Sequence, residues 1–227
     1  MNDMESLDII FNKYKTDKGV SFHNYSRQYE SLLRDYRQKD IKYLEIGVFA
    51  GESLKAMRET FKNAKLILGT DISPECKQYE DIGTNIFVEI GDMTKTDIIK
   101  KIHNKYGAFD IILDDGSHNN KDVIKTFEAL FPLLNDDGLY IVEDTITYKS
   151  ESHRDNNYKN HLDYFFDYTK FLNQWRYDST EGVKDWCIDP FKIQKKTDNV
   201  FEYSIDKIEY GCSYIAIHKK IRNHWII

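Results

Sequence analysis

Proline and cysteine are scarce in this sequence of 227 residues, which contains three of each. So few prolines argue against long disordered linkers. The cysteines, Cys76, Cys187 and Cys212, are odd in number, far apart and without a CxxC pair. A disulfide framework or a thiolate zinc site is therefore not expected. The pattern fits a reducing compartment, and we expect a cytoplasmic protein.

The sequence also lacks an excess of basic charge and a long apolar run. The formal net charge is -6, and a nucleic-acid-binding surface needs a basic footprint. No apolar run approaches the length of a transmembrane helix, and the acidic N-terminus has no signal-peptide core. We therefore predict no nucleic-acid partner and no membrane span.

The sequence is rich in alternating strand and helix patterns. Five strand patterns are each followed by a helix pattern, which indicates a parallel α/β sheet with right-handed crossovers. Two more strand patterns near the C-terminus predict an antiparallel pair. The predicted strands cover residues 41–46, 65–70, 85–90, 109–114, 139–142, 200–208 and 213–219. The predicted helices cover 4–12, 24–37, 52–61, 94–103, 119–131 and an aromatic segment at 158–177, with another helix beginning at Ser73-Pro74 and a tight turn at 136–138.

Acidic residues stand where the predicted parallel strands end. In open α/β sheets, ligands bind just beyond the carboxyl ends of the strands. Random placement on the surface would not select these positions, so they are the strongest sequence argument for an active site. The acids are Glu45, Asp71, Asp92, Asp114, Asp115, Glu143 and Asp144.

The first strand runs into a glycine loop, Glu45-Ile46-Gly47-Val48-Phe49-Ala50-Gly51. Its glycines are four apart, unlike the G-x-G-x-x-G of dinucleotide sites. The Glu45 carboxylate would repel a pyrophosphate but can accept hydrogen bonds from a cationic or amino-bearing ligand. Asp71 either accepts the hydrogen bonds of a ribose diol or serves as a turn or cap residue. Asp92 either flanks an adenine or caps the helix at 94–103.

The fourth strand ends in Asp114-Asp115-Gly116-Ser117-His118. This stretch combines two carboxylates, a turn glycine, a hydroxyl and an imidazole. It is either a catalytic loop or a polar loop with solvated acids and a surface histidine. A second polar segment, from Lys15 to Tyr29, is either a lid over a cofactor or a capped helix start with aromatic packing.

Several of these motifs resemble those of a known family. Glu45-x-Gly47-x-x-x-Gly51, Asp71 and Gly91-Asp92 are similar to the nucleoside-binding motifs of class I S-adenosylmethionine-dependent methyltransferases. Asp114-Asp115-Gly116-Ser117-His118, together with Glu143-Asp144, resembles the metal-dependent sugar O-methyltransferases, including the macrolide deoxysugar and cephalosporin-cluster groups. Thr16-Asp17-Lys18, His23, Tyr25 and Tyr29 look like the leading motif of that group. The resemblance covers about 7–145 and the last strands, and is weak over 146–195.

The resemblance implies a site as well as a fold. It implies that Asp115, Glu143 and Asp144 bind a divalent cation such as Mg²⁺, and that His118 is the general base. Asp114 binds the cofactor, supports the fold or orients His118. Met93 departs from the family pattern, in which a polar residue is usual. The S-adenosylmethionine site would comprise Thr16, Lys18, His23, Tyr25, Glu45, Gly47, Gly51, Ser53, Asp71, Ile72, Asp92, Met93 and Asp114.

The fold implied is a Rossmann-like, doubly wound, mostly parallel seven-stranded sheet with an antiparallel C-terminal strand. We expect one domain over 1–227, comprising a helical cap (1–38), a cofactor-binding core (39–145), an acceptor-side insertion (146–195) and terminal strands (196–227). A homo-oligomer, most simply a two-fold dimer, is expected. The segment 158–177 is longer than sheet coverage requires, and Leu7, Ile10 and Phe11 would need a partner surface.

The function implied is metal-assisted O-methylation of a small-molecule sugar acceptor. The sugar could be nucleotide-linked, part of a capsule or lipopolysaccharide, or part of a natural product. One alternative is a metal-dependent O-methyltransferase acting on a non-sugar diol of the catechol type. A nicotinamide-dependent oxidoreductase is a second alternative, against which Glu45 argues, and a non-enzymatic assembly subunit is a third.

Overall fold

The structure is a computed structural model that describes residues 5–173 and 197–222. The chain divides into two compact units, Met1–Gly116 and Ser117–Ile227. Each unit has its own buried apolar residues. None of the helices in the described residues combines the length and the hydrophobicity needed to cross a bilayer.

The first unit contains a parallel sheet. Its strands lie in the order β3-β2-β1-β4, so that β1 is central. The last residue of β1 is in register with the last residue of β4, which brings the ends of these two strands side by side. The strands are β1 (Lys42–Ile46), β2 (Leu66–Asp71), β3 (Ile86–Ile90) and β4 (Phe109–Asp114), and the helices are α1 (Leu7–Tyr14), α2 (Ser26–Leu33), α3 (Glu52–Thr60) and α4 (Thr96–Tyr106).

Helix α1 is part of the core of the first unit. It packs against α2 and α3, and Leu7, Ile10 and Phe11 are fully buried. The expectation that these three side chains need a partner surface is therefore wrong, because the chain buries them itself. The helix begins at its cap Ser6, whose side chain accepts a hydrogen bond from the Asp8 amide, and this satisfies one of the free N–H groups of the first turn.

The second unit contains three strands in the order β5-β7-β6. Strand β7 is antiparallel to both of its neighbours. The strands are β5 (Leu134–Val142), β6 (Ile205–Gly211) and β7 (Tyr214–Lys219), and the helices are α5 (Asn120–Leu130), α6 (His161–Asn173) and α7 (Val200–Ser204). Short 3-10 helices at Thr145–Lys149 and Glu151–His153 follow β5.

An aromatic cluster around Phe127 forms the core of the second unit. The ring of Phe127 lies 4.8 Å from Phe165, 5.3 Å from Tyr140 and 5.4 Å from Phe201, measured between centroids. This cluster explains an error in the sequence prediction, which extended a strand over 200–208. Residues 200–204 are helical because Asn199 caps the helix, and the helical turn stacks Phe201 on Phe127.

Three further boundaries differ from the sequence prediction. The tight turn predicted at 136–138 lies inside β5, where Asp137 takes a positive φ of 59°. The helix predicted after Ser73 is the 3-10 helix Pro74–Tyr79. The helix predicted at 158–177 begins at His161 in the structure. The last four residues of that prediction, 174–177, which include Trp175, lie outside the described residues.

The predicted fold class is confirmed. The described residues contain seven strands, four in the first unit and three in the second, and the strands of the first unit are parallel. The antiparallel strand is β7. The division into cap, core, insertion and terminal strands stays a prediction.

Candidate active site

The glycine loop after β1 is shaped by two glycines with positive φ. Gly47 has a φ of +94°, and a Cβ at this position would lie 2.2 Å from the Asp115 carbonyl oxygen. Gly51 has a φ of +76° and stands at the cap position of α3, where a Cβ would lie 2.7 Å from Tyr79. Both residues must be glycine, because the backbone conformation and the space exclude a side chain.

Asp71, at the end of β2, holds this loop in place. Its carboxylate accepts hydrogen bonds from the Val48 amide at 2.8 Å and the Phe49 amide at 3.2 Å, and from the Ser73 amide at 2.9 Å. Burial alone would raise the pKa of Asp71, but these backbone donors hold it below its ordinary value. The carboxylate therefore stays ionised, and it ties the glycine loop to β2.

Glu45 is a buried acid at the end of β1. Its side chain is 1% exposed, and it accepts a hydrogen bond of 2.9 Å from the Tyr43 hydroxyl. Burial raises the pKa of Glu45 to about 7; the nearby charge of Lys18 lowers it and that of Asp115 raises it. The group therefore changes charge near neutral pH. Tyr43 was missed in the sequence, although its spacing of two from Glu45 in a strand places both on one face.

Lys18 reaches the end of β4 from the N-terminal segment. Its ammonium lies 2.5 Å from an oxygen of Asp115, and the Lys18 side chain is 1% exposed. The backbone amide of Lys18 donates a hydrogen bond of 3.5 Å to the hydroxyl of Thr16, which is itself buried. Lys18, Asp115 and Glu45 thus form a mostly buried charged cluster at the ends of β1 and β4.

Two more residues of the predicted cofactor site are buried in the first unit. The hydroxyl of Ser53, in the first turn of α3, is buried and lies beside the Glu45 carboxyl, whose pKa its hydrogen bond lowers. Asp114, the last residue of β4, is 4% exposed. A hydroxyl that donates one hydrogen bond can still accept others, so Ser53 is a suitable hydrogen-bonding group for a ligand bound at this loop.

The remaining residues of the predicted cofactor site have varied surroundings. Asp92 accepts hydrogen bonds from the amide and hydroxyl of Thr94, which is a turn-forming role. Ile72 is 75% exposed, whereas Met93 is buried. His23 stacks on Tyr25, with 5.5 Å between ring centroids, and Tyr25 is buried. The Tyr25 amide donates a hydrogen bond of 3.0 Å to the Lys18 carbonyl oxygen, so the backbone of Tyr25 adjoins the cluster of Lys18, Asp115 and Glu45.

In the second unit, His118 and Asp144 lie together. The Nε2 atom of His118 is 3.7 Å from a carboxylate oxygen of Asp144, and both side chains are about one-fifth exposed. Both residues have positive φ, 55° for His118 and 52° for Asp144. The hydroxyl of Thr147 links them through hydrogen bonds to both carbonyl oxygens. Non-glycine residues held in this conformation cluster at functional sites.

His118 does not cap helix α5. The cap is Asn119, whose side chain accepts a hydrogen bond from the Lys121 amide. His118 therefore has no part in capping this helix. Glu143, which precedes Asp144, is 2% exposed. The second unit therefore places an imidazole and two carboxylates at the end of β5.

Two polar residues near His118 were not predicted from the sequence. His161 is 1% exposed, and its Nε2 donates a hydrogen bond of 3.1 Å to the Thr145 carbonyl. Burial lowers the pKa of His161, and its Nδ1 has no partner among the described residues. Asn120 is 4% exposed and binds the backbone of the loop 155–159. Neither residue lies in a motif, so only their burial reveals them.

Comparison with known proteins agrees with this arrangement. Residues 44–145 match the family described as "Methyltransferase domain". This range begins in β1 and ends just after Asp144, so it includes the glycine loop, Asp71, Asp115 and His118.

Two curated relatives are sugar-modifying enzymes by name. The demethylmacrocin O-methyltransferase of Streptomyces fradiae is 34% identical over 148 residues, which is 62% of this chain and 36% of the relative. The mycinamicin VI 2''-O-methyltransferase of Micromonospora griseorubida has the same identity and the same coverage of both chains. The chain spans little more than a third of the length of these relatives.

A solved structure shows the same fold. The MycE methyltransferase from the mycinamycin biosynthetic pathway, in complex with Mg, SAH and mycinamycin VI, aligns with a TM-score of 0.81 and 24% identity. The alignment covers 99% of this chain and 56% of that one. The resemblance to class I S-adenosylmethionine-dependent methyltransferases, inferred from the motifs, is confirmed.

Proposed function

We propose that this chain, which has the fold of the class I S-adenosylmethionine-dependent methyltransferases, transfers a methyl group to a sugar hydroxyl with the help of a divalent cation. The observation that carries the proposal is the glycine loop after β1, held by the Asp71 carboxylate and flanked by the buried Glu45. This loop presents backbone and acceptor groups, but no basic side chain, to a ligand. Such a surface suits a nucleoside with a cationic sulfonium and an amino group.

The residues of the first unit fit this cofactor. Asp71 has oxygens that can accept hydrogen bonds from a ribose diol in addition to those from the loop. Glu45 can accept them from the amino group, which favours its ionised form. The Ser53 hydroxyl, beside Glu45, can accept a further hydrogen bond from the bound cofactor. In the proposed site, Thr16, Lys18, His23, Tyr25, Gly47, Gly51, Ile72, Asp92, Met93 and Asp114 complete the set.

We propose that Asp115, Glu143 and Asp144 hold the divalent cation. All three side chains offer carboxylate oxygens, which are the hard ligands that Mg²⁺ prefers. Asp115 already binds one cation in this structure, the Lys18 ammonium. MycE carries Mg together with SAH, which supports the same pair in this chain.

The chemistry requires an aligned acceptor and a proton acceptor. S-adenosylmethionine supplies an electrophilic methyl group, and Mg²⁺ lowers the cost of deprotonating a sugar hydroxyl. The His118 imidazole accepts the hydroxyl proton at Nε2, with Asp144 stabilising the imidazolium that forms. The Thr147 hydroxyl, bonded to both carbonyl oxygens, holds the backbone that carries His118 and Asp144 before the acceptor binds.

Calorimetric titration tests the proposal. The protein should bind S-adenosylmethionine and S-adenosylhomocysteine but not NAD. A panel of sugar acceptors, supplied with the cofactor and Mg²⁺, should then show methyl transfer that EDTA abolishes. The natural-product sugars of the named relatives belong in that panel, beside nucleotide-linked and capsular or lipopolysaccharide sugars. Binding of NAD alone, or turnover unaffected by EDTA, would refute the proposal.

Two broader expectations remain proposals. We propose a two-fold homo-oligomer, supported by the 66% exposure of Phe166 on α6, and light scattering that gives the monomer mass would contradict it. We also propose a cytoplasmic location. The cysteines of the described residues, Cys76 and Cys212, are free thiols, as a reducing compartment allows.

A further inference from the structure

A polar cavity lies in the second unit, lined by residues outside the proposed cofactor and metal sites. Its volume is about 180 Å³. The loops after β5 and the first residue of α5 enclose it. The lining consists of Asn120, Tyr148, His153, Arg154, Asn156, Tyr158 and Asn160.

The wall of this cavity is held in a defined position. The Asn120 side-chain amide donates to the carbonyl oxygens of Asp155, Tyr158 and Lys159 at 3.2–3.3 Å. Its carbonyl oxygen accepts from the Asp155 amide at 2.7 Å. One buried side chain thereby fixes the loop 155–159 to the start of α5, and the cavity is a built feature of the fold.

The lining of the cavity contains one permanent cation, Arg154, and no carboxylate, although the net charge of the chain is -6. The exposed Arg154 guanidinium makes no ion pair with any described residue. Lys121 and Lys125 approach the Tyr158 ring, with 5.9 and 5.8 Å from the ammonium to the centroid. Lys121 is partly neutralised by Asp155 at 3.5 Å, which leaves Lys125 and Arg154 as the available cations.

The size of the cavity limits what it can hold. Its volume corresponds to about six water molecules, and it is smaller than the usual pocket for a drug-sized ligand, ~300–1,000 Å³. It can hold one small polar group or part of a larger molecule. A group with negative charge would find a planar guanidinium, which binds phosphate and carboxylate through paired hydrogen bonds.

The cavity is close to His118 along the chain. Tyr148 belongs to the 3-10 helix that starts after Asp144, and Thr147 in the same turn donates a hydrogen bond to the His118 carbonyl. Asn120 follows His118 by two residues. A ligand seated in the cavity therefore lies beside the turn that holds the His118 backbone.

We propose that this cavity, the anion pocket, binds the anionic group of the methyl acceptor and that Arg154 is the specificity-determining residue. The inference rests on the proposed function and narrows its substrate class to acceptors that carry a phosphate or a carboxylate next to the methylated sugar. A nucleotide-activated sugar and an acidic sugar share this chemistry. A neutral glycoside lacks the group that Arg154 would bind.

Calorimetry on the full chain, saturated with S-adenosylhomocysteine, tests the proposal. The probes are uridine diphosphate, glucuronate and methyl glucoside. At least one anionic probe should bind more tightly than methyl glucoside, and Arg154→Gln should weaken it about tenfold or more. Binding of uridine diphosphate alone points to a nucleotide-linked acceptor, and binding of glucuronate alone to an acidic sugar.

The control is Arg27→Gln, which removes an exposed arginine that does not line the cavity. It should leave the affinity of every probe unchanged.

The proposal is overturned if Arg154→Gln leaves the affinity of both anionic probes unchanged, or if methyl glucoside binds as well as they do. Neither outcome concerns methyl transfer. Cofactor binding is measured separately, so a chain that fails to bind S-adenosylhomocysteine refutes the proposed function. In that case the probe titrations, repeated without it, still decide whether the anion pocket exists.

Discussion

The ammonium of Lys18 lies 2.5 Å from the carboxylate of Asp115, although 97 residues separate them in the chain. The pair joins the N-terminal segment to the end of β4 and stands beside the buried Glu45, whose pKa it affects. A cation is therefore already present at the carboxylate that we propose as a metal ligand. The N-terminal segment is thereby part of the electrostatics of the site.

Removing the Lys18 ammonium should destabilise the protein in a way that Mg²⁺ partly reverses. Lys18→Met leaves the buried Glu45 and the partly exposed Asp115 without their cation, and breaking a buried pair costs about 3 kcal/mol. Urea unfolding in EDTA and in Mg²⁺ measures both effects. The control is Lys13→Met, which breaks an exposed ion pair with Glu59 and should cost far less stability. Equal losses for the two variants would contradict the prediction.

The stability of the ligand-free protein should fall with rising pH because of Glu45. The folded state binds the Glu45 proton more tightly than the unfolded chain, because burial raises the pKa of Glu45 from its ordinary 4.5 to about 7. This stabilisation is complete below pH 4.5 and is lost as pH rises through 7. Glu45→Gln should flatten the profile and raise stability at pH 8 by on the order of 3 kcal/mol. Denaturant unfolding from pH 5 to 8 measures the free energy of unfolding, and Glu151→Gln, at an exposed position, is the control. If the stability of Glu45→Gln falls with pH as steeply as that of the wild type, the prediction is wrong.

Gly47→Ala should unfold or severely destabilise the first unit. The new Cβ would lie 2.2 Å from a backbone oxygen, at a φ of +94°, so both strain and overlap oppose it. We expect a loss of about 3 kcal/mol or more. Gly83→Ala is the matched control, because its Cβ would meet only the Asp81 side chain at 3.3 Å. Thermal unfolding compares the two, and a tolerated Gly47→Ala would show that the loop rearranges.

His118→Ala should lower turnover about 10²–10⁴-fold, the usual effect of losing a positioned base. S-adenosylhomocysteine affinity and Mg²⁺ affinity should stay near those of the wild type. Weaker Mg²⁺ binding would instead make His118 a metal ligand beside Asp144. The control is Asn119→Ala, which removes the true cap of α5 and should cost about 1 kcal/mol of stability with little effect on turnover. Near-normal turnover in folded His118→Ala would remove the histidine from the mechanism.

Asn120→Ala should release the loop 155–159. The substitution removes the side-chain hydrogen bonds to the loop backbone and leaves partly buried backbone groups without that partner, at a cost of about 2 kcal/mol. The Asp155 amide should then exchange its hydrogen faster. Asn156 lines the same cavity but is exposed and makes no hydrogen bond with the described residues, so Asn156→Ala should cost less than about 0.5 kcal/mol. Unchanged exchange at Asp155 would show that other contacts hold the loop.

The sequence predicted most of the first unit because local signals decide it. Apolar strands ending in acids place β1, β2 and β4 within one residue of their observed bounds. Prediction failed where a local signal competed with packing. Residues 200–204 alternate like a strand, yet the stacking of Phe201 on Phe127 requires a helical turn. The turn residues 136–138 supply a positive φ within β5 rather than ending it.

The same distinction holds for the site. The sequence alone determined the fold class, the glycine loop and the acids that follow the strands, because strand direction and glycine conformation depend on residues close in the chain. Only the tertiary structure decided that Lys18 pairs with Asp115 and that Asn119 rather than His118 caps α5. It also decided that Asn120 holds the loop 155–159, which lines a cavity together with Arg154. These relationships depend on burial and on contacts between segments far apart in the chain, and no spacing of residues records them.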